Sequence, residues 1–188
     1  MKRGMILFFC MMFFGCSLGR DPDVVRRQYL EQIKDWQERV KTEGWTRELI
    51  DDVARETALF ACYRSESVDH WSTPNEFIEA GLVGDCEDIA AGIYGSFKRL
   101  GYPHEVLILG VSAVGGDHML VKVRLPSGEW KLYESVYPWN SFVDWLFYRP
   151  FVEFDTEHIA WVSNERRLNI DDPSRGGPAA FSARILPP

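Results

Sequence analysis

Positive charge is scarce in this sequence. Lys and Arg number 21 against 28 Asp and Glu, which leaves a formal net charge of −7. A nucleic-acid binder needs a basic patch to displace counterions, so that class is excluded. Histidine and cysteine are also scarce, at four each, and no set of them stands at zinc-ligand spacing, which argues against a zinc site. No internal repeat is present. Long apolar runs are missing too. The longest, Met5 to Phe14, spans ten residues, about half of what a bilayer-crossing helix needs.

What is present describes one ordinary globular domain. The 188 residues are 46% apolar and 26% charged, enough for a single well-buried core. Aromatics reach 14%, so the core or a cleft is expected to be aromatic-rich. The ten-residue apolar run follows Lys2 and Arg3 and precedes Gly15-Cys16-Ser17. That is the layout of an export signal over residues 1–16, ending in a lipobox in which Cys16 becomes lipidated. Phe13 stands where a lipobox usually has Leu, and a plain cleaved signal is the competing reading. Either reading predicts an exported protein of the cell envelope, and the lipobox adds a membrane anchor.

Residues 21–168 are expected to form the domain, with 169–188 a loose tail rich in Pro and Gly. Val25, Tyr29, Ile33, Trp36 and Val40 recur at helical spacing up to Gly44. "WTRELIDDVARETALFACYR" reads as a second helix capped by Thr46, with Cys62 a buried small hydrophobe near its end. "NEFIEAG" is a short helix after Pro74. "GDCEDIAAGIYGSFKRLGYP" is a longer one, with Ile89, Ile93, Phe97 and Leu100 as its stripe and Cys86 in its first turn. "HEVLILGV" then reads as a strand, "DHMLVKVRLPSGEWKLYES" as a hairpin turning at "PSG", and "HIAWVS" as a further strand. Helices first and an antiparallel sheet afterwards make the class α+β.

Cys86 is the informative residue. A Cys62–Cys86 disulfide is open to an exported chain. If Cys86 is free instead, a thiol kept outside the cytoplasm calls for a reason, and reactivity is one. At a helix N-terminus, partial positive charge and spare N–H groups favour a thiolate and can receive an oxyanion. Counting across the hairpin with "PSG" as a three-residue loop sets Leu120 opposite Glu134. His118 and Glu134 then share a face, one diagonal step apart. Thiol, imidazole and carboxylate in that order are the parts of nucleophilic acyl chemistry. Asp117, next to His118, points to the opposite face and is disfavoured as its partner.

"DHWSTPNEFIEAGLVGDCEDIAAGIY" and "GGDHMLVKVRLPSGEWKLYES" resemble the cysteine and histidine segments of the bacterial transglutaminase-like cysteine proteases. The resemblance covers residues 69–136 and departs at Glu134, where the family usually has Asp. It implies a papain-like α+β fold and a Cys86–His118–Glu134 triad. It also implies a thioester intermediate resolved by water or an amine. The substrate would be a protein or peptide.

Three carboxylates crowd the thiol: Asp85, Glu87 and Asp88. In one reading they only cap the helix. Asp85 is the N-cap, the others complement the dipole, and successive side chains splay about 100° apart, so they need not face the sulfur. In the other they bind Ca²⁺, as some exported proteins resembling this chain do through acids flanking the cysteine. Trp71 and Asn75 are candidates for the cleft or the oxyanion hole, with packing the plainer role. The same applies to the aromatics Trp130, Tyr133, Tyr137 and Trp139. Three functions follow from these residues. The chain is a cysteine protease or amidase, or a non-enzymatic envelope binding module on the same fold, or a true transglutaminase. The three differ in whether Cys86 reacts and in which nucleophile takes the acyl group.

Overall fold

The structure is a computed structural model that describes residues 20–65, 70–113, 116–137, 149–155 and 159–161. Residues 1–19, with the expected export signal and Cys16, Trp139 and the expected tail from 169 lie outside the described residues. Helix α1, Pro22–Glu43, starts where Asp21 accepts the Asp23 N–H at 2.9 Å and ends at Gly44, whose φ is 72°. It buries Val25, Tyr29, Ile33 and Trp36. Helix α2, Arg47–Phe60, is capped by Thr46, whose hydroxyl accepts the Leu49 N–H at 3.1 Å. Three hydroxyls tie these helices to the centre. Tyr29 and Thr57 both bond Ser96, at 2.5 and 3.2 Å.

Helix α2 stops four residues earlier than its apolar pattern predicts. Cys62–Tyr63 leave it as strand β1 and pair in parallel with strand β2, Val83–Gly84. Cys62 N–H donates to Leu82 O and Arg64 N–H to Gly84 O, both at 2.8 Å. No Gly or Pro marks this break, so tertiary pairing overrides local propensity. The expectation for Cys62 is corrected accordingly. It is half-buried on β1 and disulfide-bonded, though not to Cys86, which is free.

Helix α3, Pro74–Glu79, has a full capping box: Thr73 N–H donates to Glu76 Oε2 at 2.7 Å and Glu76 N–H to Thr73 Oγ1 at 3.3 Å. The chain then turns through Leu82, a buried residue held at φ 61°. That left-handed conformation is costly for a branched side chain and persists only because its surroundings dictate it. Helix α4, Cys86–Arg99, follows and forms the centre of the molecule. It is buried on nearly every side, including Ile89, Ile93 and Phe97.

Below α4 lies an antiparallel sheet in the order β5-β4-β3-β6-β7. Its strands are β3 Val106–Ala113, β4 Gly116–Arg124, β5 Trp130–Glu134, β6 Arg149–Phe154 and β7 Ile159–Trp161. Val106, Ile108, Met119, Val121 and Val123 join the α4 core. Leu109, Val111 and Leu120 form a second apolar cluster. Leu120 pairs with Glu134, the register expected from a three-residue loop. Strand β6 was not among the expected strands, and it carries Pro150, a residue that strand interiors disfavour. Pro150 is tolerated at a register shift opposite Val111, beyond the stretch of β6 that pairs with β7.

Strand β5 is pinned from the helix side. Asp51 Oδ1 on α2 accepts from Tyr133 Oη and Lys131 Nζ, each at 2.6 Å. The Tyr133 hydroxyl is pushed up by burial and then by the Asp51 bond. Asp51→Ala leaves that buried hydroxyl without its acceptor, so a stability loss of about 1–3 kcal/mol is expected in urea unfolding. A loss under ~0.5 kcal/mol contradicts the clamp.

Candidate active site

Cys86 is the first residue of α4 and is half-buried. It packs on the edge of the core with Val136. Its thiol donates to Glu87 Oε2 at 3.2 Å and accepts from the backbone N–H of Met119, the residue after His118. The sulfur therefore touches the strand that carries the histidine. Burial pushes the thiol up. The charge of Glu87, its hydrogen bond and the charge of Asp85 push it further, and the Met119 N–H offsets part of this. The capping reading left the flanking acids free to splay away from the sulfur, and Glu87 does not. Its side chain is long enough to curl back over the first turn.

One residue before Met119, His118 Nε2 lies 2.6 Å from Glu134 Oε1. Their side chains are 15% and 1% exposed. Glu134 Oε1 also accepts the Val136 N–H at 3.0 Å, which turns the chain after β5 around the carboxylate. The diagonal pair expected from the hairpin register thus meets directly. Asp117 is exposed.

The three acids part company. Asp88 is buried, and its Oδ1 accepts the Ser72 N–H at 2.8 Å. Its Oδ2 accepts the Asp85 N–H at 3.3 Å. Burial raises its carboxyl while these N–H groups lower it. Asp88 therefore ties the Trp71–Ser72 segment to the cysteine turn. A Cβ at Gly84 would overlap this carboxylate. Gly84→Ala is expected to destabilise by about 1–3 kcal/mol through overpacking, read as a lowered thermal midpoint. An unchanged midpoint would show that Asp88 can move. Asp85 is the N-cap residue, yet its Oδ1 is buried without a hydrogen-bond partner among the described residues. Ligand atoms of Asp85, Cys86 and Glu87 lie within 4.8 Å of one another, and Asp88 is not in that group.

The other candidates have partners outside the cysteine turn. Trp71 is 5% exposed and packs on Phe154 at 5.5 Å between ring centroids, a core role. Asn75 Oδ1 accepts from Arg99 at 2.8 Å. Arg99 ends α4 and Cys86 begins it, and the neighbouring Pro74 lies against Gly95, so Asn75 sits toward the C-terminal half of that helix. Trp130 lies under Lys122, 4.5 Å from its ring centroid. Tyr63 was missed: it pairs with Gly84, two residues before the thiol, but its segment reads as helix. Among the described residues no helix is long and apolar enough to cross a membrane.

No protein-family model and no curated protein matches the sequence. Solved structures do match. LapG of Legionella pneumophila superimposes with a TM-score of 0.62 at 17% identity, covering 93% of this chain and 94% of that one. Its EGTA-treated form gives 0.61 at 18% identity, covering 89% and 98%. Its calcium-bound form gives 0.59 at 17% identity, covering 80% and 86%. The likeness spans the helices and the antiparallel sheet together, and the chain has the transglutaminase-like α+β fold.

Proposed function

We propose that this chain is an exported thiol hydrolase, a cysteine peptidase or amidase, with Cys86 as nucleophile, His118 as general base and acid, and Glu134 as the group that orients His118. The observation that carries the reading is the 2.6 Å His118–Glu134 pair, whose histidine stands on the strand whose Met119 N–H reaches the Cys86 sulfur. The cysteine and histidine segments that resemble transglutaminase-like cysteine proteases support it. So does the fold shared with LapG.

The chemistry follows from the placement. With Nε2 bonded to Glu134, Nδ1 is the nitrogen that takes the thiol proton. The thiolate attacks the substrate carbonyl, and a C–S bond forms as the carbonyl π pair moves onto oxygen. Backbone N–H groups at the start of α4 face that oxyanion. The imidazolium returns its proton to the leaving amine, the C–N bond breaks, and a thioester remains. Water then attacks the thioester, giving a proton to His118, and the carboxylic acid leaves as the thiol is restored. Glu134 holds the charge on the ring throughout.

We read Asp85 and Glu87 as the residues that would hold a calcium ion. Their donor chemistry fits a hard cation. The buried Asp85 Oδ1 lacks a partner among the described residues, and the fold is that of a protein solved both calcium-bound and EGTA-treated. Asp88 fits less well, because both its oxygens already accept N–H groups. A bound calcium ion supplies positive charge next to the thiol.

The test is hydrolysis of fluorescein-labelled casein by the chain without residues 1–19 and with Cys62→Ala, so that Cys86 is its one thiol, with calcium and with chelator. Release that disappears in Cys86→Ala is expected. If purified parent protein releases nothing and its thiol reacts no faster than a free cysteine in either condition, the envelope binding module is the better reading.

A further inference from the structure

Two exposed tyrosines stand beside the proposed nucleophile, and nothing in the chemistry above uses them. Tyr63 is 51% exposed on β1 and is the register partner of Gly84. The 2.8 Å bond from Arg64 N–H to Gly84 O fixes that strand to the segment entering Cys86. Tyr137 is 53% exposed and follows the turn that wraps Glu134. The charges acting on the Tyr63 hydroxyl, after its own burial, are those of Cys86, Asp85, Glu87 and Tyr137. The two tyrosines and the cysteine turn therefore belong to one neighbourhood. Exposed large aromatics are costly to leave in water and are favoured where one surface must grip another.

We propose that Tyr63 and Tyr137 are specificity-determining residues, the two aromatic walls between which an extended polypeptide segment lies as its carbonyl meets Cys86. The inference rests on the thiol hydrolase reading. Each tyrosine is rooted on a backbone that the site itself fixes, Tyr63 through β2 and Tyr137 through the Glu134 turn. The rings rather than the hydroxyls supply the contact, so phenylalanine at either position keeps the grip.

The test compares two kinds of alkylating reagent on the chain without residues 1–19 and with Cys62→Ala, which leaves Cys86 as its one thiol. Iodoacetamide reads the thiol alone. A panel of N-blocked dipeptidyl acyloxymethyl ketones, with Leu or Lys next to the reactive carbon, reads thiol and peptide grip together. In these the thiolate sulfur displaces the carboxylate and forms a thioether. Tyr63→Ala and Tyr137→Ala are each expected to slow the fastest peptidyl reagent about 10-fold relative to iodoacetamide, with the iodoacetamide rate and the thermal midpoint unchanged. Tyr63→Phe and Tyr137→Phe are expected to stay within about 3-fold of the parent. If both alanine variants keep the parent ratio while the parent prefers the peptidyl reagent, the tyrosine assignment falls and the hydrolase reading stands. If no peptidyl reagent outpaces iodoacetamide on the parent, both fall.

Discussion

His118→Ala is expected to lower kcat/KM for polypeptide cleavage by about 100- to 10,000-fold, the usual weight of a positioned general base. The loss should appear in both half-reactions, because in the proposed mechanism the same ring takes the thiol proton and later the water proton. Glu134→Gln is expected to fall nearly as far. Glu134 accepts at Nε2 from 2.6 Å away, which fixes the tautomer that leaves Nδ1 able to accept. A side-chain amide can instead donate to Nε2, moving the ring proton to Nδ1, where it can no longer take one from sulfur. Both changes disturb a pair whose carboxylate is 1% exposed, and a buried polar group that loses a partner costs about 1–3 kcal/mol. Each variant is therefore assayed below its own thermal midpoint, with Cys86→Ser as the control that keeps the pair intact. Activity within a few-fold of the parent in a folded His118→Ala protein would remove His118 from the mechanism.

The parts of this site that depend on local pattern were legible in the sequence. Alternation along the hairpin and the three-residue loop sufficed to place His118 and Glu134 on one face. The apolar stripe at Ile89, Ile93 and Phe97 put Cys86 at a helix start. What was not legible depends on contacts between distant segments. Tyr63 reads as helix because nothing between Phe60 and Arg64 interrupts the pattern, and only pairing with Val83–Gly84 pulls it out. Asn75 is near Cys86 in sequence but packs at the opposite end of α4, because α3 lies along that helix rather than across its N-terminus. Strand β6 carries Pro150, whose missing N–H is harmless at the register shift. The acids were read from ideal helix angles, which describe Cβ directions and not where a flexible glutamate ends.

That last point leads to the second large effect. A carboxylate bonded to the nucleophile through its own proton, at 3.2 Å, is an obstacle to thiolate formation. Glu87→Gln removes the charge, while burial still holds the thiol up. The thiolate fraction near pH 7 rises about tenfold for each unit the thiol falls. Its intrinsic nucleophilicity drops by about threefold over the same unit. A net gain of roughly 3-fold per unit in iodoacetamide rate is therefore expected, and its inflection should move to lower pH. The stability side has a definite sign. The folded thiol keeps its proton more firmly than the unfolded one, so stability is full below the unfolded value of ~8.5 and declines as pH rises above it. Glu87→Gln should flatten that decline. In the parent, calcium ions held by Asp85 and Glu87 should act in the same direction as the substitution, by turning the Glu87 carboxylate from the thiol to a cation. The two effects should then not add: Glu87→Gln is expected to react at one rate with calcium and with chelator. A parent rate that neither calcium nor Glu87→Gln alters would mean that burial alone holds the proton, and that Glu87 is only a helix-capping acid.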